Sequence, residues 1–507
     1  MDRVRKYFDL KKEENFQSLD ERVCGDLNIE ELYTFTNHTK SKVGEQYYYH
    51  LLRNLSSGDE IKQFEGWMSK ISTDTDTYNK IIELLKKLNK SDVYDIYPVL
   101  VQNYHPYSKW KVILFKILQF LPTLLIGLFI ITKQPFLIIL TIIAFFVNLA
   151  LHYLSKNIAF LYSGSMPQIY TLLVIAEKLQ SIPINDVIHP NMNQLLKKIF
   201  TLKRNLSVFR VGVKLESDMA IFAWGISEFV KIFFLSDPVN LNKTFTQIHH
   251  NKEELKDVFD YVGLIDTLQS LATMRQLAPY YCYPKFEENT VIRATDIYHP
   301  LIPDCVSNNF TLDHHSFLVI GSNMSGKTSF IRTIGINALL AQTTNTCFAK
   351  EMVLPPQKIY TSISMSDDLM EGQSYYLREV LQMKHIIECS RQGYNLILLD
   401  ELFRGTNTIE RVAGAKAVLD YLVKNEKNIV LVATHDIELI DLLKEQYTPI
   451  YFSEDIQEGE LSFNYKINYK QNPQKNAIRI LGLYDFPESV IEDALNIAEK
   501  IGTLKKR

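Results

Sequence analysis

The sequence lacks the marks of a secreted or disordered chain. Its 507 residues include five cysteines and no C-x-x-C pair, which favours free thiols in a reducing compartment over disulfide or metal roles. With only 17 prolines and 46% hydrophobic residues, long disordered stretches are not expected. The opening MDRVRKYFDLKKEENF has no apolar signal-peptide core, so secretion is not expected either.

The chain also lacks a strong net charge of either sign. A net charge of −3 argues against a uniformly basic nucleic-acid-binding surface, although a local basic patch remains possible. The segment LKKIFTLKRNLSVFR (196–210) is the candidate patch, and a solvated helix face is an equal alternative. The length predicts two to four domains, each with its own core.

Two long apolar runs are present instead. Residues 112–132 and 135–154 are separated only by Lys133 and Gln134. A bilayer core about 30 Å thick needs about 20 helical residues to cross it. The two runs therefore predict a two-helix transmembrane hairpin over residues 111–155, and membrane binding through residues 112–154.

One alternative stays open, a buried helical pair in a large soluble core. It arises because four polar residues interrupt the apolar surface, namely Lys116, Gln119, Asn148 and His152. In a hairpin, both ends return to one side, and they are flanked by Lys109, Lys111 and Lys156. The tip carries only Lys133, so the positive-inside rule predicts a cytoplasmic-facing protein anchored by two spans in an inner or plasma membrane.

The rest of the chain divides by its hydrophobic periodicity. Residues 1–110 and 156–285 carry apolar residues at three-and-four spacing, which predicts two parts of an all-α domain. From about residue 286, short β-branched runs such as SFLVIGS and NIVLVATHD alternate with helical stretches. This alternation predicts an α/β domain with a mainly parallel sheet.

The segment GSNMSGKT, residues Gly321–Thr328, fits the pattern G-x-x-x-x-G-K-[ST] between a predicted strand and a predicted helix. Such a loop points backbone N–H groups at phosphate oxygens. Lys327 is expected to bridge the β- and γ-phosphates, and Thr328 to ligate magnesium. The residues expected to contact the nucleotide are Gly321, Ser322, Asn323, Met324, Ser325, Gly326, Lys327, Thr328 and Ser329.

Two further apolar strands end in reactive side chains. NLILLDE ends in Asp400 and Glu401, where one carboxylate can hold magnesium and the other can take a proton from the attacking water. IVLVATHD ends near His435, which could sense the γ-phosphate or orient that water. These motifs predict a magnesium-dependent NTP hydrolase. Its catalytic residues are Lys327, Glu401 and His435, and its metal ligands are Thr328 and Asp400.

The stretch DELFRGTNTIE resembles the MutS mismatch-repair ATPases, in which this strand continues as D-E-x-x-R-G-T-[SN]-T. HPLIP, GSNMSGKTSFIRT, IYTSISMSDDLMEGQSYYLREV and ATHDIEL resemble further motifs of that family in the same order. The resemblance is dense from about residue 286 to 495. It implies an ABC-type P-loop ATPase domain at 286–460. An all-α lever or core domain (1–110 and 156–285) would precede it, and a helical dimerisation segment (461–507) would follow.

The same resemblance implies a site shared between two subunits. Ser374 would reach the γ-phosphate of the partner subunit's ATP, so a complete site would form only in a homodimer. Val306, together with Cys305, would line the adenine pocket. ATP and Mg²⁺ are the implied cofactors, and double-stranded or branched DNA is an implied partner.

The sequence departs from the family pattern at several positions. The signature Thr-Phe is Tyr375-Tyr376 here, an arginine is Ser362, and an Asp-Gly pair is Glu410-Arg411. The 28 residues before IEELYTF are too few for the mismatch-reading domain of the family. We therefore expect a short variant without the mismatch-recognition and connector domains.

Two functions are consistent with these patterns. The first is a membrane-anchored MutS-type ATPase in which ATP closes a dimer and moves the helical domain on DNA. The second is an ATP switch that gates or remodels a membrane partner without binding DNA. A catalytically dead scaffold is disfavoured, because Lys327, Thr328, Asp400, Glu401 and His435 are all intact.

Overall fold

The computed structural model forms two compact units. The first comprises residues 1–13, 37–50 and 64–274, and the second comprises residues 14–36, 51–63 and 275–507. The residues that the structure describes are 1–11, 15–56, 59–102, 107–162, 164–207, 218–313, 316–322, 324–363, 375–457, 460–470 and 486–504. The second unit thus includes two N-terminal segments, which differs from the single division near residue 285 expected from periodicity.

Helices dominate the chain up to residue 277. In chain order they are α1 (Asp2–Leu10), α2 (Glu21–Asp26), α3 (Ile29–Thr36), α4 (Lys42–Arg53), α5 (Asp59–Lys62), α6 (Glu65–Thr73), α7 (Thr75–Leu85), α8 (Ile96–Val101), α9 (Lys109–Thr132), α10 (Phe136–Tyr162), α11 (Ser165–Gln180), α12 (Met192–Lys198), α13 (Phe200–Leu206), α14 (Asp218–Phe233), α15 (Ser236–His250) and α16 (Lys252–Leu277). Two short strands, β1 (Gln17–Ser18) and β2 (Asn54–Leu55), pair antiparallel in the second unit. The predicted helical character of this region is confirmed.

A buried carboxylate ties α16 to the start of α4 in the first unit. Asp266 accepts hydrogen bonds from the backbone N–H groups of Lys40 (2.8 Å) and Ser41 (2.7 Å) and from the Ser41 hydroxyl (2.6 Å). The approach is so close that a Cβ on Gly44 would lie 2.2 Å from Asp266 Oδ2. Only glycine fits there, and the helix start is fixed by these bonds.

The two apolar runs form a helical hairpin. Helices α9 and α10 pack against each other. Their turn uses Lys133 in the left-handed conformation (φ 54°). In the most apolar 18 residues of each helix, only 17% of α9 and 22% of α10 is buried. Most of this apolar surface therefore faces outward. A buried pair within a soluble core is not what the structure contains.

The second unit has an α/β core. Its elements are β3 (Lys285–Phe286), β4 (Val291–Ile297), β5 (Asn308–Asp313), β6 (Ser316–Ile320), α17 (Lys327–Thr344), β7 (Glu351–Leu354), β8 (Lys358–Ser362), α18 (Tyr375–Cys389), β9 (Asn395–Asp400), α19 (Thr408–Leu422), β10 (Asn428–Thr434), α20 (Glu438–Leu443), β11 (Tyr447–Gln457), β12 (Glu460–Asn468) and α21 (Glu488–Leu504). The main sheet has the order β12-β11-β6-β10-β9-β8. All neighbours are parallel except β11 and β12. A second sheet has the order β3-β7-β4-β5.

Helices cover both faces of the main sheet. Side chains of α18, α19 and α20 form one apolar cluster with Ile397 and Leu399 of β9. Leu398 lies between these two residues and points to the other face, because side chains alternate along a strand. There α17 packs so closely that a Cβ on Gly335 would lie 2.5 Å from Leu398 Cδ1. The predicted parallel-rich α/β architecture is confirmed.

The C-terminal segment differs from the prediction. Residues 461–507 were expected to be helical, but β12 occupies Glu460–Asn468 and pairs antiparallel with β11. The strand forms because FNYKI alternates aromatic or apolar residues with polar ones, which suits a strand better than a helix. Helix α21 accounts for the described helical part of the segment.

Candidate nucleotide-binding site

The loop between β6 and α17 curls tightly on itself. Gly326 has φ 100°, a conformation that favours glycine, and a Cβ there would lie 3.0 Å from the Tyr465 ring. A Cβ on Gly321 would lie 2.5 Å from Ser325 Oγ. The Ser325 hydroxyl in turn donates to the Ser322 carbonyl (2.7 Å). The two motif glycines are therefore required by the loop geometry itself.

Lys327 is folded into this loop. Its ammonium donates to the carbonyl oxygens of Gly321 and Ser322, both at 2.7 Å, and the residue is only 2% exposed. A buried cation is costly unless it is hydrogen-bonded, so these carbonyls hold the charge in position. The same ammonium lies at the N-terminus of α17, where the helix dipole favours a bound anion.

Thr328 and Asp400 meet although 72 residues separate them. The Thr328 hydroxyl donates to Asp400 Oδ2 at 2.7 Å. Burial raises the pKa of the Asp400 carboxyl, while the Thr328 hydrogen bond and the Arg404 guanidinium act in the opposite direction. Within the described part of the chain, no group of three or more His, Cys, Asp or Glu side chains could hold a metal ion. A hydroxyl and one carboxylate suit Mg²⁺, which usually keeps several waters and takes further oxygens from substrate phosphates.

Glu401 and His435 are also brought together. Strands β9 and β10 are parallel with Asp400 opposite Ala433, so the residues that follow emerge side by side. His435 Nδ1 lies 3.2 Å from Glu401 Oε1, and Arg404 Nε lies 3.0 Å from Glu401 Oε2. Glu401 has φ 51°, a strained conformation for a non-glycine residue that is often found at functional sites.

The sequence patterns did not single out three charged residues beside this cluster. Arg404 contacts Glu401 as described, and Arg411 forms two hydrogen bonds to Asp436, at 2.6 and 3.0 Å. Glu379 accepts a hydrogen bond from the Phe403 backbone N–H, and burial raises its pKa. The RG of DELFRGT was a signal for Arg404. Glu379 lies on α18 and falls within the quoted segment IYTSISMSDDLMEGQSYYLREV, which was its signal in the sequence.

Glu410, one of the departures from the family pattern, has a local structural role. Asn407 caps α19 by accepting from the Glu410 backbone N–H (3.0 Å). The Glu410 carboxylate accepts from the Thr406 hydroxyl at 2.9 Å. Glu410 thus helps to order the start of α19, where its charge also suits the helix dipole.

A cavity of about 470 Å³ opens beside the loop. Its lining includes the predicted adenine-pocket residue Val306 and its neighbour Cys305, together with Met324, Thr328, Ser329, Phe452 and Tyr465. The aromatic pair was not predicted, because Phe452 and Tyr465 belong to β11 and β12 and only the sheet order brings these strands to the loop. The volume is within the range typical of small-ligand sites.

Two of the predicted site residues, Asn323 and Ser374, lie outside the described residues. The nearby start of α18 is described. Tyr376 packs against the turn after β9, where a Cβ on Gly405 would lie 2.9 Å from Tyr376 Cβ. The side chain that follows the signature serine by two positions is therefore adjacent to the turn that carries Arg404.

Comparison with known proteins agrees with this picture. Residues 317–502 match the family model for MutS domain V. This segment of the chain is therefore similar to domain V of the MutS family. The DNA mismatch repair protein MutS of Staphylococcus aureus strains JH9, Newman and JH1 is 32% identical over 255 residues, 48% of this chain. The chain spans 29% of the length of these MutS relatives. The resemblance to MutS found in the sequence motifs is confirmed.

Proposed function

We propose that this chain is a magnesium-dependent ATPase of the MutS type. One observation carries the proposal: the carboxyl ends of β6, β9 and β10 bring Lys327, the Thr328–Asp400 pair and the Glu401–His435 pair to one edge of the sheet. In open α/β sheets, ligands bind at this edge. The neighbouring cavity, which Val306 and Cys305 line, has room for the adenine and ribose.

Each residue has a defined task in this proposal. The Lys327 ammonium exchanges its carbonyl partners for β- and γ-phosphate oxygens, and the backbone N–H groups of the loop bind the remaining phosphate oxygens. Thr328 and Asp400 would hold Mg²⁺, which neutralises charge on the phosphates. Glu401 accepts a proton from the attacking water, and His435, 3.2 Å from Glu401, orients that water near the γ-phosphate.

The proposed active form is a homodimer in which Ser374 completes the partner subunit's site. Two inactive variants test this directly. Lys327→Ala removes a subunit's own phosphate contact, whereas Ser374→Ala removes only the group lent to the partner. An equal mixture of the two should recover about a quarter of the wild-type rate, because half of the dimers then contain one intact site of two. No recovery in a mixture shown to exchange subunits would refute sharing in trans.

The hairpin supports a proposed membrane anchor facing the cytoplasm. Helix α9 has 24 residues and the apolar part of α10 has 20, so at about 1.5 Å per residue each reaches about 30 Å or more. Two of the interrupting polar residues face inward. Asn148 donates to the Phe233 carbonyl (3.0 Å), and His152 pairs with Glu228 (3.1 Å). Lys116 is exposed within the first turns of α9, where its side chain can reach the headgroups.

DNA is the proposed partner, since the matched relatives are named DNA mismatch repair proteins. The second candidate, an ATP switch that gates or remodels a membrane partner without binding DNA, is favoured by one observation. In the basic segment 196–210, Lys198 is paired with Glu254 and Lys203 with Glu177, which reduces the free positive charge. Scattered paired lysines bind DNA phosphates less strongly than a free basic patch.

One experiment separates the two candidates. ATP hydrolysis by the full-length protein in detergent or nanodiscs is measured with homoduplex, mismatched and branched DNA, and separately with lipids of different charge. A change in rate with DNA that Lys327→Ala abolishes supports the first candidate. A rate that responds only to lipid supports the second. Deletion of residues 112–154 should release the protein from the membrane fraction, and full-length protein found wholly in the soluble fraction would refute the anchor.

A further inference from the structure

Two cysteines face each other across a pair of extended segments in the second unit. Cys282, in the segment that follows α16, forms an isolated antiparallel bridge with Cys347, which lies just after α17. The Cys282 N–H donates to the Cys347 carbonyl and the Cys347 N–H donates to the Cys282 carbonyl, both at 2.9 Å. Residues that exchange both hydrogen bonds in this way have Cα atoms about 5.5 Å apart. That separation is also common among disulfides, so a bond requires little backbone movement.

The two thiols differ in their surroundings. Cys282 is partly exposed, whereas Cys347 is fully buried. Interaction with the Cys347 thiol lowers the pKa of Cys282 against the effect of its burial. The Cys347 thiol itself donates to the Asn337 carbonyl at 3.9 Å. Burial raises the pKa of Cys347. An accessible sulfur with greater thiolate character beside a buried second thiol is the arrangement found in cysteines that react with oxidants.

We propose that Cys282 and Cys347 form a reversible oxidation site whose substrate is a hydroperoxide. The Cys282 thiolate attacks one oxygen of hydrogen peroxide, an S–O bond forms, the O–O bond breaks, and the leaving hydroxide takes a proton to become water. The sulfur of Cys347 then attacks the sulfenic sulfur, an S–S bond forms, and a second water leaves. Two thiols lose two electrons and two protons, and the peroxide is reduced to two waters. A dithiol reductant reverses the change by thiol–disulfide exchange.

The disulfide would join the segment after α16 to the segment after α17, the helix that begins with Lys327 and Thr328. The carbonyls at the end of α17 already accept hydrogen bonds from Arg275, at 3.0 Å from Thr344 and 3.2 Å from Asn345. Arg275 also donates to the Thr346 hydroxyl at 2.9 Å. These hydrogen bonds therefore fix the C-terminal end of α17 to Arg275. Oxidation would make this attachment covalent and close a loop of about 65 residues, which restricts the unfolded chain.

The test compares thiols within the full-length protein. Reduced protein is treated with increasing hydrogen peroxide, quenched by alkylation, digested and analysed by mass spectrometry. We expect a linked peptide containing Cys282 and Cys347, two hydrogens lighter than the reduced pair, that dithiothreitol separates. Cys305, which is also partly exposed, serves as the internal control, and Cys282 should be consumed about tenfold faster than Cys305, as expected for a thiol with a lowered pKa.

Matched variants check the order of events. In Cys347→Ser, oxidation should stop at a sulfenic acid on Cys282 that dimedone traps, whereas Cys282→Ser should leave Cys347 unmodified at the same dose. Cys305→Ser should form the linked peptide as the wild type does. Loss of Cys282 and Cys305 at equal rates, or the absence of the linked peptide in the folded wild-type protein, would overturn the proposal. Because the wild-type measurement alone is decisive, poor folding of a variant leaves the test intact.

Discussion

Thr328→Val removes one hydroxyl from the candidate site with little change in side-chain volume. The Thr328 hydroxyl is a hydrogen-bond donor to Asp400, at 2.7 Å, and the Asp400 side chain is only 7% exposed. Loss of a hydrogen bond to a charged group costs about 1.5–3 kcal/mol, and the half-buried position of Thr328 lets water replace part of it. We expect the nucleotide-free protein to lose about 1–2 kcal/mol of unfolding free energy.

The same substitution should have a second effect when nucleotide is present. At about 100 times its Kd, MgATP adds about 2.7 kcal/mol to a protein that binds it only in the folded state. We expect this increment in the wild type and in Thr328→Ser, which keeps the hydroxyl, and a much smaller one in Thr328→Val.

Urea unfolding with and without MgATP measures both effects of this substitution. Equal unfolding midpoints for Thr328→Val and Thr328→Ser under both conditions would refute the assignment of Thr328 as a ligand and as the partner of Asp400.

Two further predictions concern stability away from the site. Burial raises the pKa of Asp266 to about 6 in the folded protein, so the native state holds that proton more tightly than the unfolded chain. The unfolding free energy should therefore fall by about 3 kcal/mol as the pH rises from about 4 to 6, and Asp266→Asn should remove this slope in urea titrations. Gly335→Ala should cost about 1–3 kcal/mol because its Cβ would lie 2.5 Å from Leu398 Cδ1 and 2.8 Å from Leu27 Cδ2. Gly25→Ala, with nothing within 4 Å, should be neutral in the same assay, and equal costs would contradict the packing argument.

The sequence indicated which of these side chains lie close together because its motifs lie at the ends of apolar strands. Once β6, β9 and β10 are parallel neighbours, the side chains after Ile320, Asp400 and Thr434 must meet at one edge. Local sequence patterns were enough to predict that Thr328 lies near Asp400 and that Glu401 lies near His435. Because these strands are short and strongly apolar, only a few residues at their ends can face the site.

Other features depended on contacts that no local pattern reveals. The Phe452 and Tyr465 walls of the cavity depend on the place of β11 and β12 in the sheet order. Residues 14–36 join the second unit through side chains such as Gln17, which donates to the Ile359 carbonyl (2.8 Å) and accepts from its N–H (2.7 Å). A glutamine side chain that completes the edge strand β8 leaves no periodic signal in the sequence. Helical periodicity alone assigned those residues to the first half of the chain.

In the hairpin, the sequence predicted the helices but not which of their polar residues are buried. Its two helices followed directly from length and composition, and Asn148 and His152 were reasons for doubt in the sequence. The structure turns both inward and buries them. There the Asn148 amide N–H groups donate to backbone carbonyls, and the His152 Nε2 contacts Glu228. Burial of a polar residue depends on the neighbouring helices, and sequence spacing within one helix does not determine it.

The most direct test of the nucleotide site is Glu401→Gln. This substitution keeps the size of the side chain and removes the group assigned to accept the proton from water. We expect the purified full-length variant to bind MgATP with wild-type affinity by calorimetry while its hydrolysis rate falls by about 10²-fold or more. Hydrolysis at the wild-type rate, or loss of nucleotide binding together with activity, would contradict the role given to Glu401 and with it the proposed site.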